Sequence, residues 1–399
     1  MTRISTAHAF DSTLDRLVQR QGELSDAQQQ LSSGKRVSRA SDDPTAAARA
    51  ERALASIARA DATQRAVETS QTQMTQTEGA LGDAGDLLQQ AREALVAAGN
   101  ASYTDAERRG FAQKLSGIRA QLLSVANRSD GAGGHLFGGQ GSNQPPFLDA
   151  PGGVQFRGIG GQAQVAGDEA LPITLDGRAT WLSAPTGNGV FETRAITSTG
   201  SAWIDGGGVS DPSALTGSTY SVQFSVSGGA TTYSVLKDGA ATAQTNVSFA
   251  SGKAIDVDGM SFTIKGDPAA GDEFELRPST PTLSVFDALD KAITELSTSS
   301  RSSAQIAQSN AENLRNIDSV MGRLQSARSD VGETLNRIDG VTNRLDAQKL
   351  QGVTERSNAE DLDMVQAISD FQSKQSGYDA ALKSYSMVQR LSLFQYINS

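Results

Sequence analysis

Cys and His, the residues of most thiolate and metal chemistry, are absent or nearly so in this 399-residue chain, and the spacing of its other reactive residues assigns them no chemistry. Without Cys there is no thiolate nucleophile, no disulfide and no Cys-ligated zinc or iron–sulfur cluster. The two His, His8 and His135, are too few for a His-rich metal site. They also cannot make H-E-x-x-H, whose histidines stand four apart on one helical face. Ser32…Lys35 and Ser234…Lys237 both satisfy S-x-x-K, but neither S-D-N nor K-T-G accompanies them. Gly138-Gly139-Gln140-Gly141 lacks the later Gly of a dinucleotide fingerprint, and no G-K-[ST] follows any Gly-rich loop. It reads as a domain junction. Asp256-Val257-Asp258-Gly259 has its Gly two positions too early for a calcium loop and no Glu at the twelfth position, so it reads as a hairpin turn. No catalytic, cofactor-binding or metal-ligating residue is assigned; neither an enzyme nor a cofactor is expected.

Bulk properties narrow the classes further. A net charge of −10 without a concentrated basic footprint argues against a nucleic-acid partner. No apolar run approaches the roughly 20 residues that cross a bilayer, so no membrane partner is expected. Met1–Phe10 has no apolar core and reads as no secretory signal, which leaves the cytosol or export without a cleaved signal.

What remains is architecture. Residues 131–282 hold 27 of the 40 Gly, 9 of the 10 Pro and both Trp, so the flanks can be long helices and the middle cannot. Seven of the ten excess negative charges also fall in the middle. Leu17, Leu24 and Leu31 lie seven apart, with Leu14 before them. Asp43-Pro44 is an N-cap and first helical position, opening a helix to about Ala98. Within it Val67, Met74, Leu81, Leu88 and Leu95 again step by seven. Thr104 and Glu107 form a capping box for a third helix. Ser284 with Asp287 opens another, and Ile317, Leu324, Val331, Ile338 and Leu345 repeat the heptad. Near the end Met364, Ile368, Phe371, Gln375, Tyr378, Leu382 and Tyr385 alternate steps of four and three. Such spacing selects left-handed coiled-coil seams.

The middle alternates differently. Tyr220, Val222, Phe224 and Val226 interleave with polar residues, Gly228-Gly229 turns the chain, and Asp238-Gly239 and Asp258-Gly259 are hairpin pairs. The fold class expected is therefore mainly α with an inserted all-β domain. Both flanks form long antiparallel helices in an elongated rod with terminal coiled-coil segments, and the Gly-rich middle forms a β-sandwich or barrel-like domain. Residues 1–40 with 355–399 make the terminal assembly region, 41–135 with 283–354 the helical rod, and 136–282 the β insert. Narrow apolar stripes on the two ends predict that they stay largely disordered in a free subunit. Leu17, Leu24, Leu31, Ile368, Leu382 and Tyr385 are candidate contacts between subunits. A heptad stripe fixes which face is buried, not what buries it, so an intrachain core stays open as the alternative.

Residues 31–44, LSSGKRVSRASDDP, resemble the N-terminal signature of the bacterial flagellin superfamily, carried by Ser33, Gly34, Lys35, Arg36, Val37, Asp42, Asp43 and Pro44. The ending LSLFQYINS, residues 391–399, is similar to its C-terminal counterpart. Residues 266–274 resemble a β turn-and-strand motif of flagellar hook-associated proteins. Lys35-Arg36-Val37, Ser41-Asp42-Asp43-Pro44, His135-Leu136-Phe137-Gly138-Gly139 and the aromatic tail are more similar to the hook–filament junction branch than to filament flagellin. His135 stands where an aromatic is commoner in that branch, and Gln395 where an acid is. The resemblance implies type III export and a place on the extracellular flagellum where hook meets filament. It implies as partners further copies of the chain, a hook-side junction protein, flagellin and an export chaperone. Filament flagellin and an unrelated secreted coiled-coil adhesin are the alternatives.

Overall fold

The computed structural model describes residues 6–100, 102–141, 143–165 and 169–397, with side chains described between 11 and 387. Three helices open the chain: α1 (Thr6–Ser33), α2 (Pro44–Ala98) and α3 (Asp105–Ala126). A β-rich middle follows, with β1 (Phe147–Ala150), β2 (Gly153–Phe156), the one-turn α4 (Gly177–Trp181), β3 (Phe191–Thr197), β4 (Trp203–Ile204) and β5 (Gly208–Val209). It continues through β6 (Tyr220–Ser227), β7 (Ala230–Lys237), β8 (Ala240–Ala241), β9 (Val247–Ser248), β10 (Ala254–Val257), β11 (Met260–Lys265) and β12 (Glu273–Pro278). Three helices close it: α5 (Val285–Ser297), α6 (Ser303–Glu360) and α7 (Met364–Ile397). The chain forms two compact units, residues 66–340 and residues 1–65 with 341–399.

In the 66–340 unit the heptads are core. Met74, Leu88, Leu95, Ile317 and Ile338 are wholly buried, and Val67, Leu81, Leu324 and Val331 nearly so. Ala80, Ala84, Ala91 and Ala94 share the buried face of α2 with its heptad residues. Ion pairs Glu78–Arg328 and Arg92–Asp318 fix α2 and α6 as antiparallel. Thr104 and Glu107 close the anticipated capping box on α3, and Ser284 caps α5 through the amides of Phe286 and Asp287. An aromatic cluster of Phe137, Phe147, Trp181 and Phe286 fastens the β1–β2 hairpin and α4 to α5.

The inserted strands are antiparallel throughout. One sheet runs β3-β12-β6-β7-β8 with β9 beside β7; a second runs β10-β11-β4 with β5 beside β11. Phe191, Tyr220, Val222, Phe224, Val235, Phe274 and Leu276 from the first share one core with Ile204, Ile255, Val257, Met260, Phe262 and Ile264 from the second. The barrel-like half of the expectation is corrected here: both sheets are open. The edge strands β4, β5, β8 and β9 are two residues long, too short to close a ring of strands. Asp238-Gly239 and Asp258-Gly259 turn their hairpins with positive φ at both positions, as type I′ geometry demands. The Asp258 carboxylate accepts from Lys237 and Tyr220, consistent with the hairpin-turn reading.

In the other unit α1 and α7 lie side by side, while α2 and α6 are joined by Lys349–Asp61 and by Gly352 seated against Ile57. The terminal segments are thus helices, as their heptad and four-and-three apolar spacing predicts. Each arm covers part of the other's apolar stripe, which offsets some of the ordering entropy within one chain.

Candidate functional site

The signature residues occupy the turn between α1 and α2, and that turn is hydrogen-bonded to the turn between α6 and α7. Gly34 ends α1 in the left-handed region (φ +69°), its amide donating to Gln30 O, as a helix-terminating glycine should. Ser33 Oγ accepts from the Lys35 amide and donates to Gln30 O. The chain then runs past Glu360 as an isolated antiparallel bridge between Lys35 and Asp361. The Arg36 amide donates to Glu360 O at 2.7 Å, the Val37 amide to the same oxygen at 3.3 Å, and the Leu362 amide to Gly34 O at 3.0 Å. Lys35 Nζ donates to Glu360 Oε2 at 2.7 Å, and Arg36 Nη2 to Ala359 O at 2.9 Å. Val37 is buried beneath.

Carboxylates shape the rest of the turn. Asp42 Oδ2 accepts from the Ser38 and Arg39 amides, and these bonds, Arg39 first, hold its carboxyl below the usual range. Asp43 Oδ1 caps α2 by accepting from the Ala46 and Thr45 amides, with Arg36 Nη1 at 3.3 Å from Oδ2. The Ala46 amide, then the Thr45 hydroxyl and Arg36, lower the Asp43 carboxyl to about 2. Pro44 takes the first helical position, where a missing N–H costs nothing. Asp363 caps α7 in the same manner, through the Val365 and Gln366 amides. Sequence reasoning passed over Glu360 and Asp363. An Asp directly before the apolar-periodic Met364 was the available signal for the second.

Beyond these turns the apolar stripes are only partly covered. Leu17, Leu24, Leu31 and Tyr385 are half-buried, whereas Ile368 and Leu382 are 47% and 39% exposed. Leu14, Val18, Met364, Val365 and Met387 are exposed as well, Val365 at 83%. The structure thus brings the six candidate residues onto one helix pair without enclosing them. The terminal motif 391–399 lies outside the described side chains. Among the described residues no group of three or more His, Asp and Glu could hold a metal ion, and no helix is long and apolar enough to cross a membrane.

Comparisons with known proteins agree with these two ends and with the insert. The bacterial flagellin N-terminal helical region matches residues 4–142 and the C-terminal helical region residues 314–397, together more than half of the chain. The D2-like domain of flagellar hook-associated protein 1 matches residues 195–278. Flagellar hook-associated protein 3 of Salmonella typhimurium is 33% identical over 191 residues, 47% of this chain and 56% of that protein. Its Escherichia coli K12 counterpart is 30% identical over 212 residues, 51% and 61% of the respective chains. The alignments therefore span a little over half the length of these curated relatives. Among solved structures, FlgL of Xanthomonas campestris superimposes with a TM-score of 0.69 at 28% identity, covering 77% of this chain and 99% of that one. Hook-associated protein 3 of Legionella pneumophila gives 0.70 at 25% identity, covering 76% and 96%.

Proposed function

The chain belongs to the bacterial flagellin family, and from that premise we propose that it is the structural subunit joining hook to filament in a bacterial flagellum. The observation that carries the reading is the contrast along its own helices. The heptad residues of the 66–340 unit are buried within the chain, while Ile368, Leu382, Val365 and Val18 on the terminal pair face solvent. Exposed apolar side chains of this number and spacing mark a surface completed by assembly. The likeness to hook-associated protein 3 and to FlgL, rather than to flagellin alone, supports the junction position.

On this reading residues 1–40 with 355–399 are the assembly region, and Leu17, Leu24, Leu31, Ile368, Leu382 and Tyr385 pack against further copies of the chain. The hook-side junction protein and flagellin are its axial neighbours. Export runs through the flagellum's own channel, with a chaperone holding the subunit beforehand, and the acidic β insert points outward. Antibody against residues 140–280, applied to intact flagella in the electron microscope, tests it. One labelled zone where hook meets filament is the expected result. Label along the whole filament makes the chain a flagellin, and no label on flagella removes the reading.

A further inference from the structure

Four helix ends of the 66–340 unit meet around a small, partly open cavity of about 10 Å³, lined among others by Arg108, Glu295, Ser309 and Asn313. Arg108, on α3, is only 7% exposed. Its guanidinium donates through Nη1 to Tyr103 O and through Nη2 to Asn100 O, which pins the turn between α2 and α3. Asn313, on α6, is 2% exposed and donates through Nδ2 to Glu295 Oε2 on α5 at 2.6 Å. Each of these buried side chains keeps one polar atom without a protein partner: the donor Arg108 Nε and the acceptor Asn313 Oδ1.

A buried donor or acceptor left unpaired costs about 1–3 kcal/mol, and buried waters are found where such atoms converge. A cavity of about 10 Å³ has room for about one water. We infer that a single ordered water occupies it, accepting from Arg108 Nε–H and donating to Asn313 Oδ1. Glu295, Ser309 and Asn310 also line it, together with Asp105 and Arg301, whose opposite charges balance. An ion is the poorer fit: a cation meets the Arg108 charge, and an anion meets Asn313 Oδ1 and Glu295. The water joins α3 to α6, and through Asn313–Glu295 to α5, so that the α2–α3 and α5–α6 turns become one polar node.

A crystal structure of the full chain at a resolution that shows ordered solvent tests this directly. The expected result is one isolated density peak within about 3.2 Å of both atoms. Nuclear Overhauser transfer from water to the Arg108 Nε–H, of the sign for a long-lived contact, is the matching result in solution. Asn313→Leu, which fills the cavity and removes the acceptor, should abolish both signals while leaving the chain folded. If Asn313→Leu fails to fold, Asn313→Asp, which keeps the acceptor, should retain the peak. A direct Arg108–Asn313 hydrogen bond, or an empty cavity with no transfer from water, overturns the inference.

Discussion

Lys35 Nζ and Glu360 Oε2 lie 2.7 Å apart although 325 residues separate them in sequence. The pair itself is partly exposed, and exposed ion pairs contribute little. What it marks is a backbone clasp: three main-chain bonds join residues 34–37 to 360–362, and two more side-chain bonds flank them. The clasp ties the turn that ends α1 to the turn that opens α7.

Gly34→Ala tests the clasp. No atom would lie within 4 Å of the new Cβ, so the only penalty is the left-handed backbone. That penalty is about 1–2 kcal/mol for an L-residue. The expected outcome is faster amide exchange at Arg36, Val37 and Leu362, with protection of the buried α2 and α6 heptads unchanged.

Acid should loosen the start of α2 through Asp43. Its carboxyl is lowered from 3.8 to about 2 in the folded chain. The stabilisation it gives is complete above the unfolded value near 3.8, declines below it, and is gone once the pH falls through about 2. Asp43→Asn keeps a side-chain oxygen for the Ala46 amide but removes the titration. Its protection at Thr45 and Ala46 should therefore change less between pH 4.5 and pH 2 than that of the unaltered chain. Equal changes in both would place the acid response elsewhere.

Much of this was legible in the sequence because the signals are local. Asp43-Pro44 opens α2, Thr104 and Glu107 mark α3, and Asp258-Gly259 turns β10 into β11. What was not legible depends on partners distant in sequence. Nothing near Glu360 announces that Lys35 will reach it, and nothing in β12 announces that it pairs with both β3 and β6. Val226 alternates correctly yet is exposed, because β6 outruns the core there. Asp272 looks like another turn acid. Burial alone would push its carboxyl up, but bonds from Thr199, Ala269 and Gly200 hold it lowered, and together they tie two loops.

Leu88→Ala should weaken the 66–340 unit by about 2–5 kcal/mol, the range for emptying a closed core site. Leu88 is wholly buried and its heptad neighbours Leu81 and Leu95 leave no polar route for solvent to fill the gap. Denaturant titration followed by near-ultraviolet signal from Trp181 and Trp203, both in this unit, reads the change. A loss below 1 kcal/mol would mean that α2 shifts to close the cavity.

Ile368→Asp separates an assembly surface from a core. Ile368 is 47% exposed in the single chain, so its replacement should move stability by no more than about 0.5 kcal/mol, as for other surface sites. Between copies the same carboxylate would be buried without a partner, which costs several kcal/mol and should prevent incorporation. Leu24→Asp, at a half-buried position across the helix pair, should also block assembly, with a larger cost to the free chain. The measurement is a pair: the melting temperature of the purified variants, and motility with flagellar labelling in cells that carry them. Unchanged melting with lost motility for Ile368→Asp places the residue between subunits. Normal motility would remove it from the contact surface, and a large fall in melting temperature would return it to the chain's own core.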